Sequence, residues 1–117
     1  MTFNAAILLK WHDEVVDEVI HRDGPEPADW TDEDVREVLN LTLLSFDRVK
    51  NPNAEDRNVS LRGLSWIVTP VDGGVAIVIE IPSGAVVAGP FVVDGDVLTA
   101  AVARVLAKPA KDGSTIH

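Results

Sequence analysis

The sequence predicts an α+β domain in the order α-α-β-β-β-α, with a three-stranded antiparallel meander packed with helices. Three observations carry this expectation. Ala5 to Arg22 runs without proline or glycine, a second amphipathic run opens at Thr31, and from Leu61 onward β-branched segments alternate with turn residues. At 117 residues a single domain is expected over residues 1–108, with 109–117 as a flexible C-terminal tail.

Asn4 is the expected cap of the first helix, Ala5 to Arg22. On a helical wheel Leu8, Leu9, Val15, Val16, Val19 and Ile20 share one arc with Trp11 at its edge, and Lys10, Asp13, Glu14, Asp17, Glu18 and His21 take the opposite arc. Phe3, Ala5, Ile7, Leu9 and Trp11 also alternate as a strand does, so residues 3–11 fit either reading. The helix is preferred because nothing interrupts the run before the breaker cluster Asp23-Gly24-Pro25-Glu26-Pro27.

Thr31 opens the second helix with Asp32, Glu33 and Asp34 in its first turn, where the helix dipole favours acids, and Thr31 with Asp34 forms a near capping box. The helix is predicted to run to about Lys50, where Asn51-Pro52-Asn53 stops it. Its core arc is Val35, Val38, Leu39, Thr42, Leu43, Phe46 and Val49. Leu41 and Leu44 project elsewhere, flanked by Glu37 and Arg48.

Leu64 to Pro70, Val75 to Ile81 and Ala85 to Val93 read as three strands joined by the turns Asp72-Gly73-Gly74 and Pro82-Ser83-Gly84. Pro90 lacks a ladder donor and marks its strand as an edge or as bulged. The strands are apolar on both sides. Val75, Ile77, Ile79 and Ile81 stand against Ala76 and Val78, and Val87, Phe91 and Val93 against Val86, Ala88 and Val92. Such a sheet needs cover on both faces, from divided helices or from a partner. Asp94 or Asp96 caps a last helix with Val97, Leu98, Ala101, Val102, Val105 and Leu106 on one face.

The net charge is −9, and residues 1–60 hold 14 of the 19 acids against 6 of the 10 basic residues. A field of that sign opposes nucleic acid and anionic membrane and favours basic partners. No segment approaches the roughly 20 apolar residues of a membrane helix, and Met1-Thr2-Phe3-Asn4 lacks the basic start of a secretory signal. A cytoplasmic location is the expectation.

Catalytic signatures are scarce. There is no cysteine, hence no disulfide and no thiolate nucleophile or metal ligand. No serine lies in a nucleophile elbow, and no glycine cluster forms a phosphate loop. Glu18-Val19-Ile20-His21 has the spacing of a di-metal helix element, but the second helix offers Glu33-Asp34-Val35-Arg36 in place of a second copy. No metal, no cofactor and no catalytic residue are therefore assigned. Of the tryptophans, Trp11 and Trp66 are expected in the core, and Trp30 staples the second helix in preference to lying exposed.

The function expected is a non-enzymatic, acidic protein-interaction module, homodimeric, of the inhibitor, immunity or chaperone type. It would bind a basic protein partner, itself, or both, through Asp13, Glu14, Asp17, Glu18, Glu37, Leu41, Leu44 and Arg48. One alternative is a small enzyme or ligand-binding domain with a pocket near His12, lined by Trp11, His12 and Trp66. A second is a DNA mimic, with carboxylates of both N-terminal helices aligned at phosphate spacing.

Overall fold

The computed structural model describes residues 1–54 and 59–107. In chain order the elements are β1 (Thr2–Leu9), β2 (Val15–His21), a 3-10 turn (Pro27–Asp29), α1 (Asp32–Lys50), β3 (Ser65–Val71), β4 (Gly74–Ile81), β5 (Gly84–Phe91) and α2 (Gly95–Ala107). The strands form one antiparallel sheet in the order β2-β1-β5-β4-β3. The class is α+β, as expected. The element order is β-β-α-β-β-β-α, and the sheet has five strands in place of three.

The correction lies in residues 5–22, predicted as helix and folded as the hairpin β1–β2. The alternation Phe3, Ala5, Ile7, Leu9 is the pattern that prevails, and all four are buried. Val15, Val16, Val19 and Ile20 have branched β-carbons, which restrict the side chain in a helix and suit a pleated surface. Between the strands, the His12 N–H donates to the Leu9 carbonyl at 3.0 Å and closes the turn. A central place in the sheet is what a helix here would forfeit: β1 pairs with β2 on one side and β5 on the other, so its backbone is fully used.

α1 follows its predicted course. Thr31 caps it in a complete capping box, its hydroxyl accepting from the Asp34 N–H at 3.2 Å while Asp34 Oδ2 accepts from the Thr31 N–H at 2.9 Å. The acids of the first turn and Arg48 and Lys50 of the last complement the helix dipole. Asp94 caps α2, Oδ1 accepting from the Asp96 and Val97 amides. Val97, assigned to the core face of that helix, is exposed, because the buried stripe begins one residue later with Leu98, Ala101, Val102 and Val105.

The meander keeps its predicted hairpins. Gly73 takes φ +90° in the β3–β4 turn, and at Gly74 a Cβ would collide with the Phe91 carbonyl. β5 is not an edge. Instead, Val75 pairs with Phe91 and Ile77 with Ala88, so that Gly89 and Pro90 together face Ala76 in a bulge. The bulge frees proline from the ladder and changes the phase of the strand. Phe91, predicted to share a face with Val87, turns into the core and meets Phe3 and Trp30 at ring-centroid distances of 5.2 and 5.1 Å.

Both helices lie on the same side of the sheet, where Ile7, Ile20, Ile77, Ile79, Val86 and Phe91 join Val35, Leu39, Phe46, Leu98 and Val102 in one core. Of the two kinds of cover considered, divided helices or a partner, the division of helices does not occur among the described residues, because the segment assigned to the first helix is itself sheet. The predicted tail, 109–117, lies outside the described residues. Among those residues no helix is long and apolar enough to cross a membrane.

Candidate functional site

One face of the sheet is left uncovered among the described residues. Strand register sorts its side chains into cross-strand rows. One row reads Asp17, Ala6, Val87, Val78, Ile67 from β2 to β3, and the next reads Val15, Leu8, Ala85, Glu80, Ser65. A third opens with Val19 and Asn4 and ends with Ala76 and Thr69. Ile67 is 57% exposed, Val19 65% and Leu8 42%, with Val15 and Val87 also open to solvent. Within these three rows the ionisable groups are Asp17 near one edge and Glu80 near one end, so the middle of the face is apolar and uncharged.

Sequence reasoning found this face only in part. The two-sided apolarity of β4 and β5 was its signal, and Val78 and Val87 do lie on the outer side. Leu8, Val15 and Val19 were hidden because a helical wheel placed them on a core arc.

The acids assigned to one helical face do not share one. Asp13 and Glu14 sit in the β1–β2 turn, Asp17 points to the outer face and accepts from Asn4 Nδ2 at 3.3 Å, and Glu18 pairs beside Ala5 on the inner face. Glu18 and His21, three residues apart on a strand, project to opposite sides and cannot bind one metal ion. Among the described residues no group of three or more His, Asp or Glu could hold a metal. The loss of the first helix also removes the two-helix premise of a DNA mimic.

Glu37, Leu41, Leu44 and Arg48 remain on α1. Leu41 and Leu44 are half-buried, and Leu41 packs against the core. Glu37 has a structural partner that the sequence did not reveal. Arg22, just beyond β2, is only 8% exposed, and it reaches α1 to pair with Asp34 and, at 2.6 Å from Nε, with Glu37. Asp34 thus accepts from the Thr31 amide and from Arg22, and both hold its carboxyl below the usual range. The signal was a lone arginine at the end of an acidic segment, which composition alone assigns to solvent.

The pocket residues separate as well. Trp11, expected in the core, is 83% exposed at the hairpin turn, with Lys10 Nζ 5.2 Å from its ring. His12, the centre of the alternative pocket, is exposed for the same reason. It lines a shallow cleft of about 640 Å³ with Lys10, Ser65 and Glu80 at one end of the sheet. Trp66 lines a different cleft, of about 440 Å³, with Arg62 and Leu106 beside α2. Trp30, expected to staple the second helix, is half-buried; its ring meets Phe91 of β5 and its Nε1 donates to the Pro25 carbonyl at 3.0 Å. Comparison with protein-family models, with curated proteins and with solved structures finds no match for this chain.

Proposed function

We propose that this protein is a non-enzymatic interaction module that works as a homodimer, two copies packing the uncovered faces of their sheets against each other. The observation that supports it is the apolar, nearly charge-free middle of that face. Five strands about 4.8 Å apart, each about seven residues long at about 3.4 Å per residue, give a footprint of roughly 550 Å² in projection. Side-chain relief brings this toward the roughly 800 Å² per partner of a standard interface. A second copy is the favoured occupant for two reasons. Identical sheets carry identical twist and pack aligned, and a face without charges in its middle offers nothing to select a basic partner. The acids stay at the rim, where water screens them.

Sedimentation over a range of concentrations tests this. The wild type is expected at twice the mass of one chain, and the double variant Val87→Lys, Ile67→Lys at the mass of one chain with unchanged circular dichroism. A wild type that stays monomeric at high concentration ends the dimer reading.

The cleft at His12 supports a second reading, a binding site for a small polar ligand, since Lys10, His12 and Glu80 supply both charges and an imidazole there. It predicts that members of a metabolite mixture shift the His12 ring resonances. An unperturbed ring across the mixture removes it.

A further inference from the structure

We propose that the open edge of β2 captures an extended, lysine- or arginine-bearing polypeptide segment, which adds to the sheet as a sixth strand. This concerns the backbone edge of β2, whose Val15, Asp17 and Val19 side chains border the dimer face, and names a partner the dimer does not require.

Among the described residues β2 pairs only with β1, so the other side of its backbone has no strand partner there. Which groups face outward follows from the hydrogen bonds at its end. The Arg22 N–H donates to the Met1 carbonyl at 3.0 Å, and the Met1 amine donates to the Arg22 carbonyl at 2.7 Å, making Met1 and Arg22 a hydrogen-bonded pair. In an antiparallel ladder such pairs alternate. Ile20, Glu18 and Val16 therefore bond inward to β1, and Val15, Asp17, Val19 and His21 present their N–H and C=O groups at the edge. That is a template of four residues for strand addition. Natural edges are blunted by proline, by bulges or by charge. β3, the opposite edge, carries Pro70, whereas β2 has neither proline nor a register shift and is guarded by charge alone, that of Asp17 and Glu18.

Charge selects the occupant. Asp17 and Glu18 lie on this strand, Asp13 and Glu14 in the turn before it and Asp23 just after it, and the charge of Arg22 is taken up by Asp34 and Glu37. A second β2 paired antiparallel about Asp17 or Glu18 would set acid against acid across the new ladder, which is unfavourable for directly opposed pairs. A basic segment can set a lysine or arginine against Asp17 on one face of the added strand, and it is drawn to the edge by the −9 charge of the chain.

The test titrates the full chain with a seven-residue peptide alternating lysine and valine, at low salt, with amide hydrogen exchange as readout. The expected result is saturable binding that slows exchange at Val15, Asp17, Val19 and His21. Methylating the peptide amides that face β2 should weaken binding by about tenfold or more, since the ladder bonds are lost while the charge is kept. Asp17→Lys should weaken it comparably, and a glutamate–valine peptide should not bind. Binding that survives amide methylation, or that protects none of the four amides, is adhesion by charge alone and overturns the proposal, as does absence of binding. The methylated peptide leaves the protein itself unaltered, so folding does not confuse the result. A chain that is monomeric yet binds the peptide sinks the dimer reading alone, and a dimer that ignores the peptide sinks this one alone.

Discussion

Arg22 joins the hairpin to α1, and its energetics follow from its burial. A guanidinium held between two carboxylates is weakly stabilising as a pair, but removing one partner leaves the others in a site built for charge. Arg22→Met is expected to cost about 2–3 kcal/mol, read as a lower urea midpoint. Arg22→Lys should recover only part of this, because a lysine ammonium lacks the fork that reaches two carboxylates. Asp34 adds a pH dependence of known sign. Its folded carboxyl titrates below the unfolded value of about 3.9, so its contribution is present above that pH and is lost as pH falls further. Asp34→Asn should therefore flatten the stability profile below about pH 4, in urea melts taken across that window.

The elements differ in how firmly local sequence specifies them. α1 carries its own start and stop signals, and Thr31→Ala should lower stability by about 1 kcal/mol through the lost cap. That loss should not add to that of Asp34→Asn, since both variants break the same capping box. The hairpin β1–β2 is the opposite case. Its residues satisfy a helical wheel and a strand alternation together, and only the pairing of β1 with β5 separates the two. Val19→Ala makes the difference measurable. On an exposed strand position it should cost about 0.5 kcal/mol, whereas alanine in a helix would stabilise by a similar amount. The β3–β4 turn is less tolerant: at Gly74 any side chain meets the Phe91 carbonyl, and Gly74→Ala should cost about 2–4 kcal/mol in a thermal or urea melt.

For the molecule as a whole, the arrangement of charge separates the two proposed associations. Two copies each bearing −9 repel, so added salt should strengthen the face-to-face dimer. The basic peptide is attracted, so the same salt should weaken its binding to β2. Sedimentation and peptide titration between low and about 0.5 M salt should move in opposite directions. Parallel movement would mean that one of the two surfaces has been misassigned.

The residues alone determined what is local: the capped α1, the three C-terminal strands with their hairpins, α2 behind Asp94, and the class of the fold. Each rests on signals within a few residues, such as a cap, a glycine turn or a β-branched run. The candidate site was less legible. The apolar excess of β4 and β5 showed that a surface was to spare, but Leu8, Val15 and Val19 joined it only when 5–22 became a hairpin. Tertiary structure decided that conversion, the placing of β5 at the centre of the sheet, the inward turn of Phe91 and the burial of Arg22 against Asp34 and Glu37. The physical reason is the same for all four. Periodicity describes which side of an element is apolar, while strand partners, a two-residue bulge and the reach of a long side chain depend on segments far away in sequence.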